Sequence, residues 1–390
     1  MTLVGLLGIL LSIAAWPFAV IVRTRLRVAV FALALIAHVA SAIVYYGYVQ
    51  TNAADTAMYY QDSFNLYADH GFGFSTAFIL WVVQTLKGII GGTYLDYFLL
   101  FQAIGFFGIA FLMRTIEEIY ASLDLRQPIW SYGLVFLPGL HFWTSAIGKD
   151  APLFMAMCLS IWAVMQLRRR YLALAFALLV MLMVRPHIAL IAFAAIAMTV
   201  SADRTAHPLL RGGLILGSLG AFGFAVATIG STFGVDLTNA DSVSDFLSSR
   251  DAVAMSEDLG NSGIGSAPYP IKLLSFLFRP LFFDAADAFG LIASAENVAL
   301  ILIFLILTWR IGPAFAAFRS VPFVRYALIS SVGITLALAM DYYNVGLALR
   351  QKTMVLPGFL IVFVTVQALV TSRRAARARK ARLAHEPLPV

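Results

Sequence analysis

Long apolar runs separated by short polar connections make up most of the chain. They fall at 3–22, 28–48, 94–113, 129–147, 151–167, 171–185, 187–202, 213–233, 291–309, 326–341 and 353–371. A helix crosses the bilayer hydrocarbon with roughly 20 apolar residues, and with fewer where it ends inside protein. The pattern therefore predicts about eleven spans. A further apolar helix is expected over 75–90, where Trp81, Gln84 and Lys87 interrupt the apolar positions as in a helix lying in the membrane interface. The expected fold class is all-α: one polytopic transmembrane helical bundle over 1–371, with outer loops at 49–93 and 234–290 and a basic tail at 372–390.

Composition agrees. The chain of 390 residues is 61% hydrophobic and 12% charged, against about 25% charged for a soluble domain, and no polar stretch is long enough for a second domain. A net charge of +7 raises nucleic acid as a partner, but its distribution argues against that. Basic residues gather in alternate connections: Arg23, Arg25 and Arg27; Arg114 and Arg126; Arg168, Arg169 and Arg170; Arg204 and Arg211; Arg310, Arg319 and Arg325; and the tail from Arg373. The positive-inside rule places these connections in the cytoplasm, with the N-terminus outside and the C-terminus inside. The tail then meets anionic lipid. The single Cys158 allows no intrachain disulfide and no thiol-rich metal site. The first apolar run is long and lacks a preceding basic region, so no cleavable leader is expected.

The outer connections carry the remaining chemistry. Basic residues there oppose the topology rule: Lys87, Lys149, Arg185, Arg250, Lys272, Arg279, Arg350 and Lys352. Charge at membrane depth costs about 2.5–3.5 kcal/mol even on insertion scales, so each of these needs a counter-charge or an anionic ligand. The stretch from His141 to Pro152 sets Lys149 beside Asp150 between two apolar runs; its plain reading is a loop tip with Asp150 capping the next helix. In the first outer loop Asp55, Tyr59, Asp62 and Asp69 recur at helical steps, with Asp55 at the helix start and Gly71 and Gly73 ending the helix. Pro186 breaks the chain between Arg185 and His187. The middle of 234–290 is polar, and its second half, with Lys272 and Arg279, reads as an interfacial or re-entrant segment.

No phosphate loop, HExxH zinc pair, GxSxG elbow or dinucleotide fingerprint occurs. Several cations beside carboxylates suit a polyanionic ligand and a proton acceptor. Arg185 and Arg350 can fork onto a phosphate, with Lys149 as a point charge. Asp150, His187, Arg279, Tyr59 and His141 complete the expected binding set. Asp55, with Asp62 second, can deprotonate a sugar hydroxyl. Asp55, Asp62 and His70 can also hold a divalent cation, although their spacing is not diagnostic; no cofactor is otherwise implied.

An acidic motif in the first large outer loop, followed by an amphipathic helix along the membrane, resembles the GT-C superfamily of multi-spanning glycosyltransferases that use lipid-linked sugars. The stretches at 142–150, 185–187 and 344–350 resemble membrane proteins encoded with exopolysaccharide and O-antigen genes. The resemblance runs over roughly residues 50–357. It implies a bacterial inner-membrane enzyme, a polyprenyl-(pyro)phosphate-linked sugar as donor, a glycan or lipid-linked acceptor, and a catalytic acid directly after the first span. That role falls on Asp55, although two spans precede the loop here, where the family has one. The alternatives are an O-antigen or exopolysaccharide polymerase with an arginine-based site, a transporter or flippase of lipid-linked sugars, and a non-catalytic scaffold of an export complex.

Overall fold

A computed structural model describes residues 2–21, 24–52, 54–62, 67, 71–203, 267–285, 287–340 and 345–385, with side chains to Arg377, and isolated positions between 209 and 242. Among them all regular structure is helical, without a strand. The first helices are α1 (Leu3–Ala14), α2 (Trp16–Ala19), α3 (Arg25–Tyr48), α4 (Asp55–Gln61), α5 (Thr76–Ile90) and α6 (Tyr94–Ser122). After them come α7 (Ile129–Gly133), α8 (Pro138–Trp143), α9 (Asp150–Met165), α10 (Leu167–Val184) and α11 (Pro186–Ser201). The last are α12 (Tyr269–Phe278), α13 (Ala288–Trp309), α14 (Ile311–Ser320), α15 (Pro322–Met340), α16 (Val345–Lys352) and α17 (Leu356–His385).

Five of the described helices are long and apolar enough to cross a membrane: α3, α6, α13, α15 and α17 over Leu356–Arg377. Other apolar runs expected as spans are divided or shortened for identifiable reasons. The run 3–22 divides at Ala15, where Pro17 starts α2. The run 129–147 breaks at Pro138, and 144–149 is irregular. Helices α9 and α11 have 16 residues each, about 24 Å at 1.5 Å per residue. Helix α10 opens on Arg168, Arg169 and Arg170, with a kink at Arg170. The expected span at 213–233 lies outside the described residues apart from a few positions.

Helix α6 is the axis of the bundle, packed by α1, α2, α3, α9 and α17. Its start is fixed by a capping box: Thr93 accepts from Asp96 N–H, and the Asp96 carboxylate accepts from Thr93 N–H at 2.7 Å. The same carboxylate accepts from the Thr2 N–H and hydroxyl, both at 2.9 Å, which ties the N-terminal helix to the core. Gly105 on α6 lets the chain pass closely, because a Cβ there would run into the Thr144 carbonyl. This contact seats the irregular connection 144–149 against the axis.

Toward the opposite end of α6, Glu117 and Glu118 collect arginines that the sequence assigned to topology alone. Arg27 pairs with Glu117 at 2.5 Å. Glu118 accepts from Arg114 at 2.7 Å, from Arg170 at 2.9 Å and from Trp162 Nε1 at 3.1 Å. These residues therefore hold α3, α6, α9 and α10 together as well as carrying charge.

Candidate functional site

Four segments that are distant in sequence meet at one end of the bundle. Arg350, on α16, is the centre. Its Nη1 donates to Asp55 Oδ2 at 2.9 Å, and its Nε donates to Asp150 Oδ2. Asp55 is the first residue of α4 and its side chain is 57% exposed. Asp150 is the first residue of α9 and its side chain is 6% exposed. One guanidinium thus bridges an open carboxylate and a buried one. The buried partner, Asp150, holds the Arg350 charge well above the usual arginine range, against the cost of burial.

Two further cations adjoin this bridge. Arg185 sits in extended backbone between α10 and α11, where Pro186 begins the new helix. It interacts with Asp150, Arg350, Tyr59 and Asp55, while burial works against its charge. Its Nε is buried without a hydrogen-bond partner among the described residues. Lys149 precedes α9 and donates from Nζ to Ser75 Oγ at 3.0 Å. Gly148, at φ +154°, takes a backbone conformation that residues with side chains rarely adopt, and it lies next to Arg350 and Tyr59. Tyr59 lies buried under Asp55, and burial, followed by the Asp55 charge, pushes its phenol up to about 12.

The structure therefore brings together Asp55, Tyr59, Lys149, Asp150, Arg185 and Arg350. It places the other expected residues elsewhere. Asp150 does not cap α9: its carboxylate turns to Arg350, and Lys149 occupies the cap position without a side-chain bond. Helix α4 ends at Gln61, not at Gly71. Asp62 is left-handed there, at φ +50°, and accepts from Tyr67 N–H, so it leaves the face that carries Asp55. His141 is buried between the Val135 carbonyl, 2.9 Å from Nε2, and His38, with the two Nδ1 atoms 3.1 Å apart, so both ring nitrogens are engaged in the bundle. Arg279 forks onto Asp284 at 2.9 and 2.6 Å. His187 is exposed on α11 and has an interaction of its own. Asp69, His70 and Arg250 lie outside the described residues. Among the described residues no three of His, Cys, Asp and Glu gather as metal ligands.

Other contributors were not assigned to the site from the sequence. Ser75, at φ +63°, donates its N–H to the Met183 carbonyl at 2.7 Å and so joins the start of α5 to the end of α10 beside Arg185. Gln84 and Lys87 of α5 donate to the Tyr60 carbonyl at 3.1 and 2.9 Å, fixing α4. The adjacent residues Glu296 and Asn297 of α13 hold both arms of the site. Glu296 accepts from Gly139 N–H at 2.6 Å at the start of α8, which leads to Lys149. Asn297 accepts from Lys352 Nζ at 2.6 Å, two residues from Arg350, and donates to the Pro280 carbonyl at 2.8 Å. The available signal was a lone Glu and a lone Lys beside apolar runs.

Lys149 gives the site a pH dependence. Burial, then repulsion from Arg185 and Arg350, lowers its ammonium to about 8, against about 10.4 for a free lysine. Between those values the unfolded chain binds more protons, so the fold gains stability as pH rises. Over the same window Lys149 loses the charge that an anion would use. Anion-dependent activity is expected to fall above about pH 8, and Lys149→Arg to move that alkaline limb upward by at least one pH unit, since arginine stays charged. Identical alkaline limbs in a pH–rate profile of the two proteins would remove Lys149 from the site.

Comparison with protein-family models, with curated proteins and with solved structures finds no match to this chain.

Proposed function

We propose that the protein is a membrane glycosyltransferase of a bacterial inner membrane, using a polyprenyl-phosphate-linked sugar at the periplasmic face to build cell-surface polysaccharide. The observation that carries this reading is the joining of an exposed carboxylate, Asp55, to a cation set of Arg350, Arg185 and Lys149. In the reaction, the donor's lipid phosphate competes with Asp55 for Arg350 and takes up the unused Nε–H of Arg185. Asp55, released, accepts the proton of an acceptor hydroxyl. That oxygen attacks the anomeric carbon, the bond from this carbon to the phosphate oxygen breaks, and the electron pair leaves on the lipid phosphate. Cations aimed at the leaving oxygen stabilise the charge that develops there. The GT-C resemblance and the count of about eleven spans belong to this proposal.

A polymerase with an arginine-based site is the second reading, favoured by the pairing of Asp55 with Arg350, which gives the carboxylate a structural role. A transporter of lipid-linked sugars needs no bond to break. Purified protein in proteoliposomes, supplied with a polyprenyl-phosphate sugar and an acceptor glycan, is expected to yield extended glycan and free polyprenyl phosphate. Movement of intact donor across the bilayer without cleavage would replace the enzyme with the transporter.

A further inference from the structure

At the other end of α9 from Asp150, about 24 Å away along the helix axis, the ends of α9, α10, α11 and α15 line a half-open cavity of about 820 Å³. This is within the roughly 300–1,000 Å³ of ligand sites. Its walls are apolar, with Leu167, Leu174, Ile196, Val200 and Pro322 among them, and Arg168 and Arg169 stand at its rim. Arg170, the third of this run, is neutralised: it bonds Glu118 and lies over the Trp162 ring at 3.9 Å. Arg168 and Arg169 are exposed, and neither has an ion-pair partner among the described residues. One carboxylate, Asp203, shares the rim, so positive charge is in excess. Inside, Thr199 Oγ1 is buried without a hydrogen-bond partner, although the Thr199 carbonyl accepts from Arg325 at 2.9 Å.

From this geometry we infer that the cavity is a binding site for an anionic phospholipid, with the phosphate headgroup on Arg168 and Arg169 and an acyl chain along the apolar wall. Each feature fits that ligand. An apolar cavity at the helix ends accepts a chain from the bilayer. Two unneutralised arginines at its mouth favour a charged headgroup over a zwitterionic one, as basic pockets between membrane helices do. The site is separate from the Arg350 cluster and stands whether or not the chain transfers sugars.

Native mass spectrometry of the full chain in neutral detergent, titrated with phosphatidylglycerol or phosphatidylcholine, tests this. The wild type is expected to retain one phosphatidylglycerol and to release phosphatidylcholine at the same concentration. At roughly fivefold per basic residue facing an anionic lipid, Arg168→Gln with Arg169→Gln should weaken phosphatidylglycerol binding about 25-fold. Arg373→Gln with Arg374→Gln, in the tail, should leave that retained lipid in place. Ile196→Trp, which fills the cavity, should exclude the lipid with both arginines present. Since that variant can fail to fold, the arginine pair is decisive. Equal retention of the two lipids, loss with the tail variant, or unchanged binding with Arg168 and Arg169 both replaced would each overturn the site.

Discussion

Arg350→Ala is expected to destabilise the protein by about 3 kcal/mol, the low end of the 3–5 kcal/mol typical when one partner of a buried ion pair is removed. The cost comes from Asp150, whose side chain is 6% exposed and whose Oδ1 already lacks a partner among the described residues. Without Arg350 this carboxylate keeps its burial and loses its donor. Arg185 still attracts it, which is why the low end is chosen. Asp55 contributes little to the loss, because an exposed pair is worth at most about 1 kcal/mol. Combining Arg350→Ala with Asp150→Asn should recover part of the stability, since the uncompensated charge goes as well. Thermal unfolding in detergent, run as a double-mutant cycle, measures both effects. A loss below 1 kcal/mol for Arg350→Ala, or strict additivity in the cycle, would mean that Arg350 and Asp150 are not a coupled buried pair. Arg350→Lys keeps the charge and loses the planar fork that reaches two carboxylates at once, so it should fall between the wild type and alanine.

With the proposed transferase activity, Asp55→Asn is expected to reduce glycan transfer by about 10²–10⁴-fold, the range of general-base assistance, while leaving stability within about 1 kcal/mol of the wild type. Asparagine keeps the size and a hydrogen-bonding oxygen toward Arg350 and loses the charge and basicity that let the carboxylate accept a proton. Asp62→Asn should do much less: Asp62 is left-handed past the end of α4 and bonds the Tyr67 N–H, away from Arg350. Polymer formation in cells, measured alongside the level of inserted protein, reads both variants. Full polymer from Asp55→Asn would rule out the base. If Arg185 and Arg350 variants alone lost activity, the polymerase reading would stand in its place.

Sequence patterning carried the class of this protein a long way. Apolar runs, the scarcity of charge and alternating arginine connections are one-dimensional facts, and they lead to a helical membrane bundle because an uncompensated backbone cannot cross hydrocarbon in any open form. The same reasoning marked Lys149, Asp150, Arg185 and Arg350, since charge next to apolar runs is costly enough to need a partner; Asp55 was marked instead by its place at the start of a helical repeat in the first outer loop. Run length was a poorer guide. A proline or a positive φ ends a helix without changing hydrophobicity, so 3–22 and 129–147 each became two or more pieces.

Pairing could not be read in the same way. Asp55 and Arg350 are 295 residues apart, and Asp150 and Arg350 are 200 apart. No local periodicity relates such positions. They meet because α4, the start of α9 and α16 are brought to one end of the bundle around α6. His141 and Asp150, nine positions apart on one polar connection, looked like members of one site. Packing sent the histidine inward to His38 and the aspartate outward to Arg350. Residue type sets which groups need a partner; the path of the backbone, through features such as the close approach of Gly105 to Thr144 and the positive φ of Gly148, sets which partner each one finds.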